Sequence, residues 1–510
     1  MRIGIAHAVS VVGVQGHVVR IEAALLSGLP AFTIVGLPDA AVVESRERLR
    51  AAFAAAGILF PQVRVTVNLS PADAPKSGTG FDLGIAAAIL SAMSGRALET
   101  AEGVRPAYLG ELGLDGSVRK VRGVLPAALA LGDGDSLLVV PHGCESEAAL
   151  ARVTVRGVWH LSQVAMPLGI DCAPVLSEPT EPAPDVVRPA ESDQMADLAD
   201  VRGQQFAKWA LEVAAAGGHH LLMTGSPGIG KSMLASRMPS ILPELSLDEA
   251  VEVAAIASAA GEFQGELSKV PPYSAPHHTA SAVALIGGGT HPRPGAVSRA
   301  HNGVLFLDEL PEFQRGVLQG LRQPMESGTV RIHRARTSVT YPARFQFVGA
   351  ANPCRCGRFL DSPSTCSCGP RDRSEYFRRI GGPLLDRFDI NVVMSRPSRA
   401  ELKLETNVEP SAVVAERVVA ARERALARLH GTEWTRNAQV SGAWLRKKTQ
   451  LPAEIDKRLD RALSYGELSL RAVDKIMRVA WTLADLADHG HPDVDDFHQA
   501  FVLRERNSHG

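Results

Sequence analysis

Residues 225–232 read Gly225-Ser226-Pro227-Gly228-Ile229-Gly230-Lys231-Ser232, entered from the apolar run His220-Leu221-Leu222-Met223-Thr224. A glycine-rich loop between a strand and a helix start is the layout of a phosphate cradle. Its glycines let consecutive backbone N–H groups turn inward, and the following helix presents its positive end. Lys231 is then placed to reach the β- and γ-phosphates of a nucleotide, and the Ser232 hydroxyl to hold Mg²⁺. Further along, Val304-Leu305-Phe306-Leu307-Asp308-Glu309 is an apolar strand that ends in two carboxylates. Asp308 would complete the Mg²⁺ shell and Glu309 would polarise the attacking water. Each segment alone has a plain reading, as turn glycines or as a buried strand ending in acids. The two together, in this order, predict a site that binds and hydrolyses ATP.

A second constellation is Cys354-Arg355-Cys356 and, nine residues on, Cys366-Ser367-Cys368. Four thiolates in two short knuckles suit a closed, tetrahedral and therefore structural Zn²⁺ site. Gly357, Asp361, Ser362 and Pro363 give the intervening loop the turns needed to close. Free thiols or a redox switch remain the competing reading. His277 and His278 follow a proline and receive no metal role.

The elements that position these groups are set by composition and periodicity. The chain has 510 residues, 45% hydrophobic and 21% charged, enough for about three domains with ample cores. No apolar run approaches a membrane span, and Met1-Arg2-Ile3-Gly4 lacks a signal-peptide layout, so no membrane partner and a cytoplasmic protein are expected. In such a compartment the six cysteines are not expected to form disulfides. A net charge of −1 gives no global pull toward nucleic acid, so any such binding must be local.

The stretch Cys172 to Pro189 carries five prolines and no periodicity, which predicts a stiff solvated linker. Before it, strand-like segments at Ala31 to Gly36 and Val63 to Asn68 alternate with helical patterns at Ala40 to Gly57, Phe81 to Met93 and Leu125 to Leu131. The nucleotide motifs occupy the next 200 residues or so. From Ser398 onward, patterns such as Ala412 to Leu429 and Leu470 to Ala487 read as wholly helical. The expected division is 1–172, a linker at 173–195, an ATPase core at 196–396 and a helical part at 397–510.

Two segments exceed a minimal nucleotide fold. Ala284 to Gly295 is dense in glycine and proline and is expected to protrude as a loop. Gly328 to Thr340 holds two β-rich stretches around Arg331, His333, Arg334 and Arg336, which predicts a basic-tipped hairpin. Such a hairpin suits a phosphate backbone, or merely solvent, or acids of a neighbouring subunit.

Further residues fix the class. Arg344 to Pro353 is a strand ending at Asn352, Gly382-Pro383-Leu384-Leu385-Asp386-Arg387-Phe388-Asp389 places an arginine after an apolar turn, and Ser469-Leu470-Arg471-Ala472 opens a late helix. With the two phosphate-site motifs, this order resembles an AAA+ ATPase of the magnesium-chelatase-like branch, and within it the ComM/YifB family. Phe32 to Asp39, Asn68 to Asp73, Pro276-His277-His278-Thr279 and Asn352 to Gly357 carry the same resemblance, which spans nearly the whole chain. It implies an α/β protein with an N-terminal Lon-protease-like (S5-type) α+β domain, an AAA+ P-loop core and a C-terminal helical lid. It implies that Asn352 is sensor 1, Arg471 sensor 2 and Arg387 an arginine finger reaching a neighbour's ATP, hence a ring, a homo-hexamer. Arg387 could instead be an ordinary ion-pair partner of Asp386 or Asp389. The two extra segments resemble pore hairpins, which favours single-stranded or branched DNA in the ring channel.

In the Lon-like part, the family's nucleophile position falls on Lys76 and its lysine position on Leu125, with Ser77 and Lys120 out of register. A leucine accepts no proton, so a non-proteolytic module is expected. The resemblance implies a DNA helicase that promotes branch migration during recombination or natural transformation. A chelatase-type subunit that remodels a partner for metal insertion is the second reading.

Overall fold

The computed structural model describes residues 1–71, 76, 78–100, 103–132, 136–173, 196–289, 292–333, 338–361, 363–398 and 408–504. The proline-rich stretch from 174 to 195, the hairpin residues Arg334 and Arg336, and Ser77 lie outside them.

Five parallel strands form the sheet that carries the nucleotide motifs, in the order Tyr273–Ser274, Val304–Leu307, Gln346–Ala351, Leu221–Gly225 and Ile390–Met394. Val304–Leu307 and Gln346–Ala351 are buried at every position, as strands of a covered parallel sheet must be. The glycine loop, Asp308 and Asn352 all follow carboxyl ends of these strands, the end where open α/β sheets bind ligands. His220, just before the strand of the glycine loop, turns its Nδ1 to accept the Phe347 N–H at 3.0 Å.

That contact needs an unprotonated Nδ1, and burial foremost pushes the His220 pKa down to about 4, against the pull of Asp389. A depressed folded pKa gives stability that is present above the unfolded value and lost as pH falls toward the folded one. The unfolding free energy read from urea titrations should therefore fall between about pH 6.5 and pH 4, by on the order of 2 kcal/mol from this group, discounted for the ring's residual solvent contact. His220→Gln, which keeps an acceptor and cannot titrate, should flatten that slope; an unchanged slope would assign the acid loss to other groups.

The N-terminal sheet has seven strands in the order Ala31–Val35, Arg64–Ser70, Gln15–Leu26, Arg2–Val12, Ala107–Tyr108, Leu137–Pro141 and Thr154–Val158. Its centre is the long antiparallel pair Arg2–Val12 and Gln15–Leu26, which pattern reading of the sequence does not single out. The helix Asp82–Ser94 lies on this pair, buried from Asp82 to Ala92. It comes so close that a Cβ on Gly4 would stand 2.1 Å from the Ala88 carbonyl oxygen, so only glycine fits.

The short helix Val124–Leu129 packs its Leu125 and Ala128 against Ala254 and Ala255 of the helix Leu247–Ala260, which belongs to the nucleotide-binding part. Backbone N–H groups of Gly123 and Leu125 donate to the carbonyl and the hydroxyl of Ser258 at 3.1 and 3.3 Å. Leu125 is thus a fully buried interface residue.

One expectation needs correction. The glycine-rich stretch after Walker A is not a plain loop: Ser281 caps a helix at Ala282–Ile286, because five apolar residues follow a good cap. Only then does the chain form the small hairpin Gly287–Gly288 with Arg293–Pro294. The basic hairpin pairs Thr329–His333 with Ser338–Pro342, and Tyr341 donates to the Pro292 carbonyl at 2.8 Å, so the two hairpins are braced on each other. Past residue 408, the described residues form helices at Ser411–Arg428, Gly442–Lys448, Ala453–Ser464, Leu470–Leu486 and Val494–Arg504.

Candidate nucleotide site and its metal-ligating neighbour

The glycine loop turns through left-handed backbone at Gly228 (φ 75°) and Gly230 (φ 100°), and no atom stands within 4 Å of where a Cβ would lie at either. The cradle is therefore open on the side a phosphate chain would enter. Lys231, which starts the helix Lys231–Ser236, is buried and folds back on the loop. Its ammonium donates to the Gly225 and Ser226 carbonyls at 2.6 and 3.1 Å and to Asn352 Oδ1 at 3.0 Å. Burial lowers its pKa, opposed by Asp308, Glu309 and Asp361. These three acceptors are what a phosphate would displace.

Ser232 Oγ donates to Asp308 Oδ2, so the hydroxyl and carboxylate that suit a cation share one point in space. The chain then bends sharply: Glu309 holds φ 50°, and its N–H donates to Asp308 Oδ1 at 2.8 Å. A left-handed non-glycine residue costs about 1–2 kcal/mol. The bend turns Glu309 toward His278, whose Nδ1 lies 3.2 Å from Glu309 Oε2. A cleft of about 320 Å³, lined by Ala275, Pro276, His277, His278, Phe306, Asp308 and Glu309, opens beside this pair. His278 is the site residue that sequence reasoning missed. Its only signal was the Pro276-His277-His278-Thr279 string, which carries the family resemblance but suggests no task.

Arg387 and Arg471 are not brought to this end. Arg387 stands three residues before Ile390–Met394, and Asp389 N–H bonds the His220 carbonyl ahead of Leu221–Gly225. Both strands run parallel, so Arg387 sits at the opposite end of the sheet from Gly225, a five-residue strand or about 16 Å away. Its ion-pair partner is Glu326, not Asp386 or Asp389 as sequence proximity suggested. Burial lowers the Arg387 pKa, as do the nearby charges of Arg471 and Arg322. The two arginines assigned to catalysis are therefore close to each other and remote from Lys231.

The four cysteines converge. Their sulfurs all lie within 4.8 Å of one another, with Cys354–Cys356, Cys354–Cys366 and Cys356–Cys366 at 3.4, 3.7 and 3.5 Å. A tetrahedron of sulfurs about 2.3 Å from a zinc ion has edges near 3.8 Å, whereas a disulfide needs about 2.05 Å. The donor set and spacing thus fit zinc. A hydrogen bond with the Arg358 backbone, then Cys354, pushes the Cys356 thiol down to about 6. The loop also touches the phosphate cradle: a Cβ on Gly357 would stand 2.6 Å from Pro227 Cδ. Arg396 binds Asp361 of the same loop at 2.9 Å.

Three family profiles match the chain: magnesium chelatase subunit ChlI over residues 197–402, subunit ChlI of Mg-chelatase over 21–143, and the ChlI C-terminal part over 408–504. A Mycobacterium tuberculosis protein is 45% identical over 99% of both chains. YifB of Escherichia coli is 39% identical over 95% of this chain and 94% of its own, and the competence protein ComM of Haemophilus influenzae 40% identical over 99% and 98%. No helix among the described residues is long and apolar enough to cross a membrane. With the phosphate cradle, the acid pair and the five parallel strands in one arrangement, and with relatives matched nearly end to end, the chain belongs to the magnesium-chelatase-like AAA+ family, in the branch that holds YifB and ComM.

Proposed function

We propose that this chain is an ATP-hydrolysing ring motor, a homo-hexamer that acts on single-stranded or branched DNA and promotes branch migration. The convergence of Lys231, Ser232, Asp308 and Asn352 at one end of the sheet carries the ATPase reading. Lys231 binds the β- and γ-phosphates, Asn352 orients the γ-phosphate, and Glu309 takes the proton of the attacking water. Mg²⁺, held by Ser232 and Asp308, supplies charge neutralisation on the phosphate oxygens when bound. His278 holds the Glu309 carboxylate until a nucleotide and water draw it inward.

Because Arg387 lies at the far end of its own sheet, it serves the ATP of an adjacent subunit, and Arg471 beside it faces the same interface. Zinc in the cysteine set is structural and braces the loop against Pro227. The N-terminal part is a Lon-like fold without protease activity. Leu125 is buried, and the Lys76 ammonium donates to the Pro71 carbonyl.

The DNA reading rests on the exposed Arg331 of the basic hairpin and on the likeness to a competence protein. Its test is ATP hydrolysis with and without forked DNA, expected to rise with DNA. In the Arg331→Ala, Arg334→Ala, Arg336→Ala variant the basal rate should persist. DNA binding should weaken, and its salt slope should flatten by about 0.7–0.9 for each phosphate that the arginines no longer neutralise. Equal binding with an equal salt slope would remove the hairpin from the DNA interface. An absence of stimulation in the unaltered protein would favour a partner-remodelling ATPase instead.

A further inference from the structure

The helix Leu470–Leu486 carries Arg471 exposed at its first turn and, four residues on, Lys475 almost fully buried. That spacing puts the two on one face. The Lys475 ammonium donates to the Asp386 carbonyl and, at 2.8 Å, to the Phe388 carbonyl, the carbonyls of the two residues on either side of Arg387. Asp389 Oδ1 lies 3.4 Å from the same ammonium, and Arg504 adds a bond to the Phe388 carbonyl at 2.6 Å. Burying an ammonium is costly unless its hydrogen bonds are met, and a methionine of similar length would fill the volume without that cost. What the lysine adds is direction: it fixes the peptide that enters Arg387 and the one that leaves Phe388, bracketing the arginine.

We infer that Lys475 is a positioning residue for Arg387, tying it and Arg471 into one unit so that lid movement and arginine presentation are a single event. The tie is made in the arginine-donating subunit and acts on the ATP of its neighbour. This rests on the shared-site reading above. The remaining titratable groups around the ammonium are Arg478 on its own helix and His219 and His220 beside Asp389.

The test uses the full-length protein. Lys475→Met should assemble and bind ATP within about twofold of the unaltered chain, while kcat falls about 10²-fold at little change in KM, the scale of an ångström-level misplacement. Lys475→Arg should recover much of the loss, since its guanidinium still reaches both carbonyls. The decisive readout is a mixed ring. Lys475→Met mixed with Glu309→Gln should regain hydrolysis, because the Glu309→Gln chain supplies an intact arginine unit to the intact Glu309 of the other.

A residue that acted only through its own site, or only through folding, would not be complemented in this way. Should this mixture stay inactive while an Arg387→Ala and Glu309→Gln mixture recovers, the positioning role is overturned and the shared site stands. Should both stay inactive despite co-assembly, the shared site falls and the inference with it. If Lys475→Met yields no folded rings, Lys475→Gln, which keeps a donor, takes its place with the same expected outcomes.

Discussion

Rings made only of Glu309→Gln chains should bind ATP without turning it over, and rings made only of Arg387→Ala chains should be equally inert. Mixed, the two should hydrolyse ATP. In the first variant the water has lost its activating carboxylate. In the second, the transition state has lost a cation worth on the order of 10³ or more in rate. A random equal mixture places an intact Arg387 against an intact Glu309 at roughly a quarter of interfaces, so recovery up to about that fraction of the normal rate is expected. The geometry behind this is simple. Gly225 and Arg387 lie beyond opposite ends of two parallel strands, and a guanidinium cannot span that distance back to its own cradle. The measurement is phosphate release after subunit exchange, with co-assembly verified by tagged chains. An inactive mixture of demonstrated mixed rings would mean that Arg387 does not work across the interface.

Cys356→Ser with Cys366→Ser should remove about one equivalent of zinc per chain and loosen the nucleotide site at the same time. The metal loss is the larger effect, because structural zinc contributes on the order of 10 kcal/mol to the domain that holds it. The second consequence comes from Gly357, whose Cα hydrogen faces Pro227 with no room for a side chain. If the loop slackens, the cradle loses one wall, and ATP affinity should fall severalfold even in chains that remain folded. Elemental analysis of protein purified without chelator checks the first point, and nucleotide titration the second. Protein that carries no stoichiometric metal and has four freely titratable thiols would return the cluster to the redox-switch reading.

The phosphate loop, the acid pair and the helical C-terminal part were legible because their chemistry is written over a few neighbouring residues. Gly228 and Gly230 need left-handed backbone wherever the fold places them, and Leu470 to Ala487 repeats its apolar positions at helical spacing. Pairings between distant segments were not legible. Nothing local in Ser469 to Lys475 announces that its lysine will clasp the peptides around Arg387, nearly ninety residues earlier. Arg387 itself was offered two acidic neighbours by sequence, and the fold gave it Glu326 instead. His278 meets Glu309 only because strands 30 residues apart pair side by side. The long hairpin from Arg2 to Leu26 escaped notice because glycine and polar residues interrupt its alternation.

The seam between Val124–Leu129 and Leu247–Ala260 bears on how such a protein can be taken apart by evolution. Ala254 and Ala255 belong to the nucleotide-binding half, yet their cover comes from the other half, as do two of the donors to Ser258. A gene shortened to its nucleotide-binding part would bare Ala254 and Ala255 and leave the Ser258 hydroxyl without the Leu125 donor. A lysine at position 125 would push a charge into that same seam. The partnership of the two halves is kept by mutual concealment of this seam.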